Sequence, residues 1–248
     1  MVNLSGVAHD ERHAQLAAGL AELNQRITAA CATAGRDPAE VTTIAVTKTY
    51  PASDVLLLAH LGVCDIGENR DQEAAPKAAA VAAAGVDVRW HFVGRLQRNK
   101  CRSVVEYADM VHSVDSVRLT EALGAAAQRR RDRPLDVLVQ ISIDGDPVRG
   151  GAVAGSPDAD HGLAAVAEAV AKQEQLRLAG VMAVAPLRWE PEVAFARLAE
   201  ISAWLRGGHP DATVISAGMS GDLEVAIAHG ATHVRIGSAL LGMRDPLR

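Results

Sequence analysis

The sequence predicts a single (β/α)8 barrel preceded by a long helix, on three observations. Eight short apolar runs recur along the 248 residues, alanine-rich amphipathic stretches of helical length separate them, and no Gly-x-Gly-x-x-Gly turn follows the first run. Parallel strands need crossovers long enough to hold a helix, so strict alternation of strand and helix implies a parallel sheet. Eight such units close into a barrel at this chain length. The competing architecture is a doubly wound open sheet. That fold usually carries a glycine-rich turn after its first strand, where this chain reads Lys48-Thr49-Tyr50-Pro51.

The elements follow in order. A helix is expected over about residues 9–34, ended by Gly35, with the barrel over about 41–244, so that 1–248 forms one domain. Strands are expected at 42–47, 64–67, 88–93, 110–114, 135–143, 178–184, 213–217 and 233–237, where Val, Ile and Leu concentrate. Helices are expected between them at 53–61, 69–84, 96–107, 117–131, 162–175, 191–205 and 219–229, with a short final helix starting near Gly237-Ser238. Residues 144–161, rich in Gly, Asp and Pro, read as the longest loop and as a candidate flap beside the site.

Composition narrows the function. With 49% apolar residues the chain buries a large core, while 3% aromatics and a net charge of −5 argue against nucleic-acid binding. Three widely spaced cysteines with no CxxC pair suggest neither a disulfide framework nor a zinc site, and a reducing cytoplasm is the default. Residues 1–12 lack the apolar core of a signal peptide, and no run approaches a membrane span. A small-molecule partner is expected.

Active groups of such barrels sit at the carboxyl ends of strands, and phosphates are often held after strands seven and eight. This places Lys48, Glu68-Asn69, His91, His112, Met182, Ser216 and Arg235 around one mouth. Lys48 reads either as a solvated strand-end charge or as an amine that condenses with an aldehyde. Ser216, Gly237 and Ser238 are the small hydroxyl and glycine residues that suit a phosphate, and Ser220 is placed to cap the seventh barrel helix. A lysine with a phosphate cup is the kit for an aldehyde such as pyridoxal phosphate. His91 reads as a core histidine or as part of the pocket wall. His91 and His112 lack the partners of a metal site, and Glu106, Asp109 and Asp115 read as solvated carboxylates rather than an acid/base pair. Arg129-Arg130-Arg131 closes a helix, where cations complement the dipole.

Several ordered strings add a resemblance. Residues 45–48 (AVTK), 67–77 (GEN with QE and a lysine downstream), 90–100 (WHFVGRLQRNK), 111–115 (VHSVD), 180–184 (GVMAV) and 216–242 (SAGMSGDLEVAIAHGATHVRIGSALLG) resemble the pyridoxal phosphate homeostasis proteins of the YggS/PROSC type. The resemblance implies a barrel like the N-terminal domain of alanine racemase, with pyridoxal 5'-phosphate as a Schiff base on Lys48. It further implies phosphate contacts from Ser216, Gly237 and Ser238, Arg235 facing the pyridine nitrogen, and Asn69 near the cofactor. From the residues alone, Asn69 is equally an N-cap for the following helix. An arginine only donates, so it keeps the ring nitrogen unprotonated and makes the ring a weaker electron sink. The chain departs from the family at Arg70, Tyr50 and Arg149-Gly150-Gly151.

The expected role is a cytoplasmic, monomeric pyridoxal phosphate carrier serving vitamin B6 and amino-acid homeostasis without turnover of its own, with apo-enzymes that use the cofactor as possible partners. Racemization needs acid/base groups on both faces of the substrate carbon, and after the eighth strand the sequence offers no second domain to bring one. The alternatives are an amino-acid racemase using Lys48 and Tyr50, a Schiff-base sugar-phosphate aldolase, and a protein-binding scaffold.

Overall fold

Eight parallel strands, β1 (Thr42–Val46), β2 (Asp65–Glu68), β3 (Arg89–Phe92), β4 (Met110–Val114), β5 (Leu135–Gln140), β6 (Leu176–Met182), β7 (Val214–Ser216) and β8 (His233–Ile236), pair in sequence order. The sheet closes with Thr42 to Ala45 of β1 in register with His233 to Ile236 of β8. The structure is a computed structural model that describes residues 4–146 and 149–242, with side chains from residue 9 onward. The (β/α)8 barrel expected from the sequence is therefore the observed architecture. Every residue of β4 is buried, as are five of six in β5. A strand covered by helices outside and packed side chains inside has no solvent face, which is why these runs are continuous rather than alternating.

The helices are α1 (Leu4–Ala34), α2 (Ala52–His60), α3 (Asp71–Ala83), α4 (Cys101–Tyr107), α5 (Val117–Arg130), α6 (Leu163–Ala171), α7 (Pro191–Gly208), α8 (Leu223–Ala228) and α9 (Ser238–Leu241). Leu16, Leu23, Ile27, Ala30 and Cys31 form the buried stripe of α1, at the spacing of one helical face. Burying each of the two leucines contributes about 1.5–3 kcal/mol. The stripe lies on α8 and α9, so the N-terminal helix braces the elements that follow β7 and β8. Approach is closest at Gly19, where an added Cβ would stand 2.8 Å from the Leu240 carbonyl oxygen. Arg36 ties the end of this brace down by donating to the Ile227 and Ala231 carbonyls at the close of α8, each at 2.8 Å.

Several boundaries differ from expectation. The fifth strand stops at Gln140 rather than 143, because Ile141 leaves the ladder to bridge Ala152 across the loop. The helix expected from 96 begins at Cys101, since Gln97 is extended and residues 98–100 form a tight 3-10 turn. The helix expected from 219 begins at Leu223. Gly218 has φ +88, and Asp222 accepts from the Met219 N–H at 2.6 Å, which keeps the intervening residues in a turn. Part of the flap expectation over 144–161, Pro147 and Val148, lies outside the described residues, as do residues 243–244 of the expected barrel span.

Candidate functional site at the barrel mouth

Lys48 stands two residues past β1. The strand ends as Thr47 N–H donates to Gly67 O at 3.0 Å, and a turn follows in which Tyr50 N–H returns to Thr47 O at 3.0 Å. Thr49 completes this turn at φ +69, a left-handed conformation that a β-branched residue adopts at a cost of about 1–3 kcal/mol. The Thr49 N–H is held by Glu73 Oε2 at 3.1 Å. The Lys48 side chain is exposed and makes no ion pair or hydrogen bond among the described residues.

Closure of β8 on β1 brings the second group beside it. An added Cβ on Gly237 would lie 3.8 Å from Val46 O, so the turn into α9 passes directly alongside the end of β1. Ser238 opens α9 and is exposed. Ser220, from the β7–α8 turn, reaches the same place and accepts from the Ala239 N–H at 3.4 Å. Ser220 is thus not the cap of α8, which is preceded by Asp222; its hydroxyl borders the head of α9 instead. Lys48, Ser220, Gly237 and Ser238 are therefore gathered on one side of the mouth.

Ser216 and Arg235 lie deeper. Ser216 is fully buried, and its oxygen accepts from Arg235 Nη1 at 2.8 Å while lying 3.0 Å from His112 Nδ1. Arg235 Nη2 donates to the Ala183 carbonyl at 2.9 Å. Burial lowers the Arg235 pKa to about 10, opposed by the charge of Asp222. The Ser216 oxygen is thus engaged on both sides, by Arg235 and by His112. Asn69 sits past β2 with a buried Oδ1 that has no partner among the described residues. It does not cap α3, whose N-cap is Arg70 with no side-chain bond. A buried acceptor left unsatisfied calls for a partner.

The sequence reading did not assemble the network behind Lys48. Lys77 Nζ, nearly buried, donates to Thr47 O at 2.8 Å and to Glu68 Oε1, which also accepts from Thr47 Oγ1 at 2.6 Å. It clamps the peptide from which Lys48 projects. A carboxylate at the end of a buried strand and a lysine nine residues later, in a helix over that strand, were its only signal. Asp65 was also missed: it accepts from His91 Nε2 at 2.8 Å, and His91 Nδ1 lies 2.9 Å from His112 Nε2. Burial pushes the Asp65 carboxyl up, but the His91 bond and the neighbouring cations outweigh it and hold it below its ordinary value. Burial, together with the neighbouring His91 and Arg235, drives His112 well below the usual histidine range.

Tyr50, the residue on which the racemase reading depends, donates from its hydroxyl to Gly242 O at 2.7 Å, with the Arg12 guanidinium 5.5 Å above its ring. A separate groove of about 1410 Å³ crosses the β2–β4 side of the same face, bordered by Asn69, Arg95, Arg98 and Asp115, and includes neither Lys48 nor the α9 turn. Among the described residues, no group of three or more His, Cys, Asp or Glu side chains is arranged to hold a metal ion, and no helix is long and apolar enough to cross a membrane.

Comparison with known proteins places this geometry. Residues 19–245 match the alanine racemase N-terminal domain family. A pyridoxal phosphate homeostasis protein of Mycobacterium bovis is 43% identical over 96% of this chain and 96% of its own, and one of Escherichia coli is 38% identical over 93% and 97%. Among solved structures, PipY of Synechococcus elongatus with pyridoxal phosphate bound superposes with a TM-score of 0.73, at 32% identity over 92% of this chain and all of that one. Alanine racemase of Corynebacterium glutamicum shares the fold at a TM-score of 0.66 and 16% identity, over 95% of this chain and 62% of that one.

Proposed function

The chain belongs to the alanine racemase N-terminal domain family and, within it, to the pyridoxal phosphate homeostasis proteins, and we propose that it binds pyridoxal 5'-phosphate with Lys48 as the anchoring amine. The observation that carries this is that Lys48 is exposed two residues past the end of β1, where the Gly237 turn into α9 passes alongside Val46 O. When bound, the cofactor supplies an aldehyde that an amine captures, an electron-withdrawing ring and a dianionic phosphate. The residues present fit each part. Ser220, Ser238 and the amides at the head of α9 are donors for the phosphate. Arg235 presents a donor-only edge to the ring nitrogen. Asn69 offers its unpaired Oδ1 to a donor on the ring side. The sequence reading gave Ser216 a phosphate contact; its full burial beneath Arg235 favours a supporting role instead.

The role is holding rather than turnover, in the service of vitamin B6 and amino-acid homeostasis. Two features support this: Arg235, which can only donate, would leave a ring nitrogen facing it unprotonated, and the Tyr50 hydroxyl donates to Gly242 O. The test is reconstitution with pyridoxal phosphate followed by absorbance. The wild type is expected to turn yellow and Lys48→Ala to stay colourless with an unchanged fold. An amino-acid α-hydrogen exchanging with solvent above background, and ceasing to do so in Tyr50→Phe, would return the racemase reading.

A further inference from the structure

A chain of four hydrogen bonds crosses the barrel interior, joining Arg235 to Ser216, His112, His91 and Asp65 in turn. The Ser216–His112 link spans from β7 to β4, so it passes through the lumen rather than along the sheet. His91 is 1% exposed, and His112 and Ser216 are fully buried, so no water shell sets their hydrogens. The carboxylate does. Asp65 only accepts, so His91 carries its hydrogen on Nε2. A neutral His91 then accepts at Nδ1, so the hydrogen between the rings belongs to His112 Nε2. His112 in turn accepts at Nδ1, and the Ser216 hydroxyl is the donor there. Ser216 finally accepts from Arg235, which can only donate. His112, fully buried and facing the Arg235 guanidinium, is neutral and has a single hydrogen to place; on Nε2 it leaves Nδ1 as the acceptor that the Ser216 hydrogen needs.

We infer that Asp65, His91 and His112 are positioning residues for Arg235, the floor carboxylate fixing the direction of every link and so holding a Ser216 lone pair toward the guanidinium. Where it touches the cofactor, this rests on the reading of the mouth given above. Each hydrogen points from the cation toward the anion, so the links polarise one another in one sense. The reverse arrangement would leave the Ser216 hydrogen without an acceptor in the chain. Arg235 is thereby held through two bonds, with no ion pair to it among the described residues, and its remaining edge stays available to a ligand.

The experiment reads histidine tautomers by nitrogen NMR in cofactor-free protein at pH 7, with the exchange rate of the Arg235 guanidinium hydrogens measured alongside. Wild type is expected to show His91 and His112 neutral, each with hydrogen on Nε2. Asp65→Asn both accepts and donates, so it is expected to add Nδ1–H signals and speed Arg235 exchange about tenfold. It is also expected to weaken pyridoxal phosphate binding about tenfold, equivalent to about 1.4 kcal/mol. Asp65→Glu is expected to restore the single tautomer. An Nδ1–H or charged ring at pH 7 in wild type overturns the inference. So does an Asp65→Asn protein with wild-type tautomers, or one whose tautomers change while Arg235 exchange does not. If Asp65→Asn fails to fold, the wild-type tautomers still decide. A wild type that takes up no pyridoxal phosphate refutes the functional reading while leaving the tautomer and exchange results to judge this one.

Discussion

Met110, Leu138, Ala179 and Met182 fill one side of the barrel lumen along β4 to β6 with hydrocarbon and sulfur. Across the same lumen, Asp65, His91, His112, Ser216 and Arg235 fill it with a continuous polar chain. Both sides are buried apart from Asp65, which is partly exposed, yet they impose different demands. The apolar side needs only volume, so neighbouring shapes can substitute for one another at modest cost. The polar side needs every donor matched to an acceptor, because an unmatched group there keeps its full desolvation penalty. The difference teaches where function can be placed: the matched side leads upward to Arg235 and the mouth, while the packed side holds the barrel open to the right diameter.

The sharpest way to break the contrast is Lys77→Met at the polar mouth. It leaves Glu68 buried without its cation, and a loss of about 3–5 kcal/mol in urea unfolding is expected. Adding Glu68→Leu should recover much of it, which would show that the loss came from the stranded charge. On the apolar side, Leu138→Ala removes a fully buried side chain and should cost about 2–5 kcal/mol while cofactor uptake is retained.

Acid sharpens the contrast without mutation. Burial lowers the pKa of His233 to about 4, against an ordinary value of 6.5. Because the folded value is depressed, the unfolded chain takes the proton first. Stability is fully present above about pH 6.5 and falls as pH drops toward 4, by about 3 kcal/mol from this group. His112 shifts in the same direction and adds to the loss. A urea midpoint unchanged from pH 7 to pH 4 would contradict the buried polar side. The smallest expected effect separates chain from cup: Ser216→Ala should cost about 1–3 kcal/mol of stability by leaving Arg235 Nη1 and His112 Nδ1 unmatched. Ser220→Ala should weaken cofactor retention with little change in stability, and equal stability losses in the two would erase the distinction.

The barrel was legible in the sequence because burial on both faces writes each strand as a continuous apolar run, as in 110–114 and 135–140, and alanine-rich helices separate the runs. Lys48, Gly237 and Ser238 stood out as candidates because polar and glycine residues at a strand end interrupt that pattern. The bond from Arg235 to Ser216 was not legible, since a three-residue strand gives too little periodicity to tell inward from upward. Asn69 and Ser220 looked like helix caps, and the true starts at Asp71 and Leu223 depend on turns whose geometry comes from tertiary contacts. Asp65 was invisible because its partners lie 26 and more residues away on other strands. A single carboxylate at a strand start gives no hint of a chain that exists only once the barrel closes.

The most direct test of the account is borohydride reduction of the pyridoxal phosphate-loaded protein, followed by mass mapping of the modified peptide. The account predicts one adduct, on Lys48, and none in Lys48→Ala. An adduct on Lys77 or Lys100, or a protein that takes up no pyridoxal phosphate under reconstitution, would contradict it.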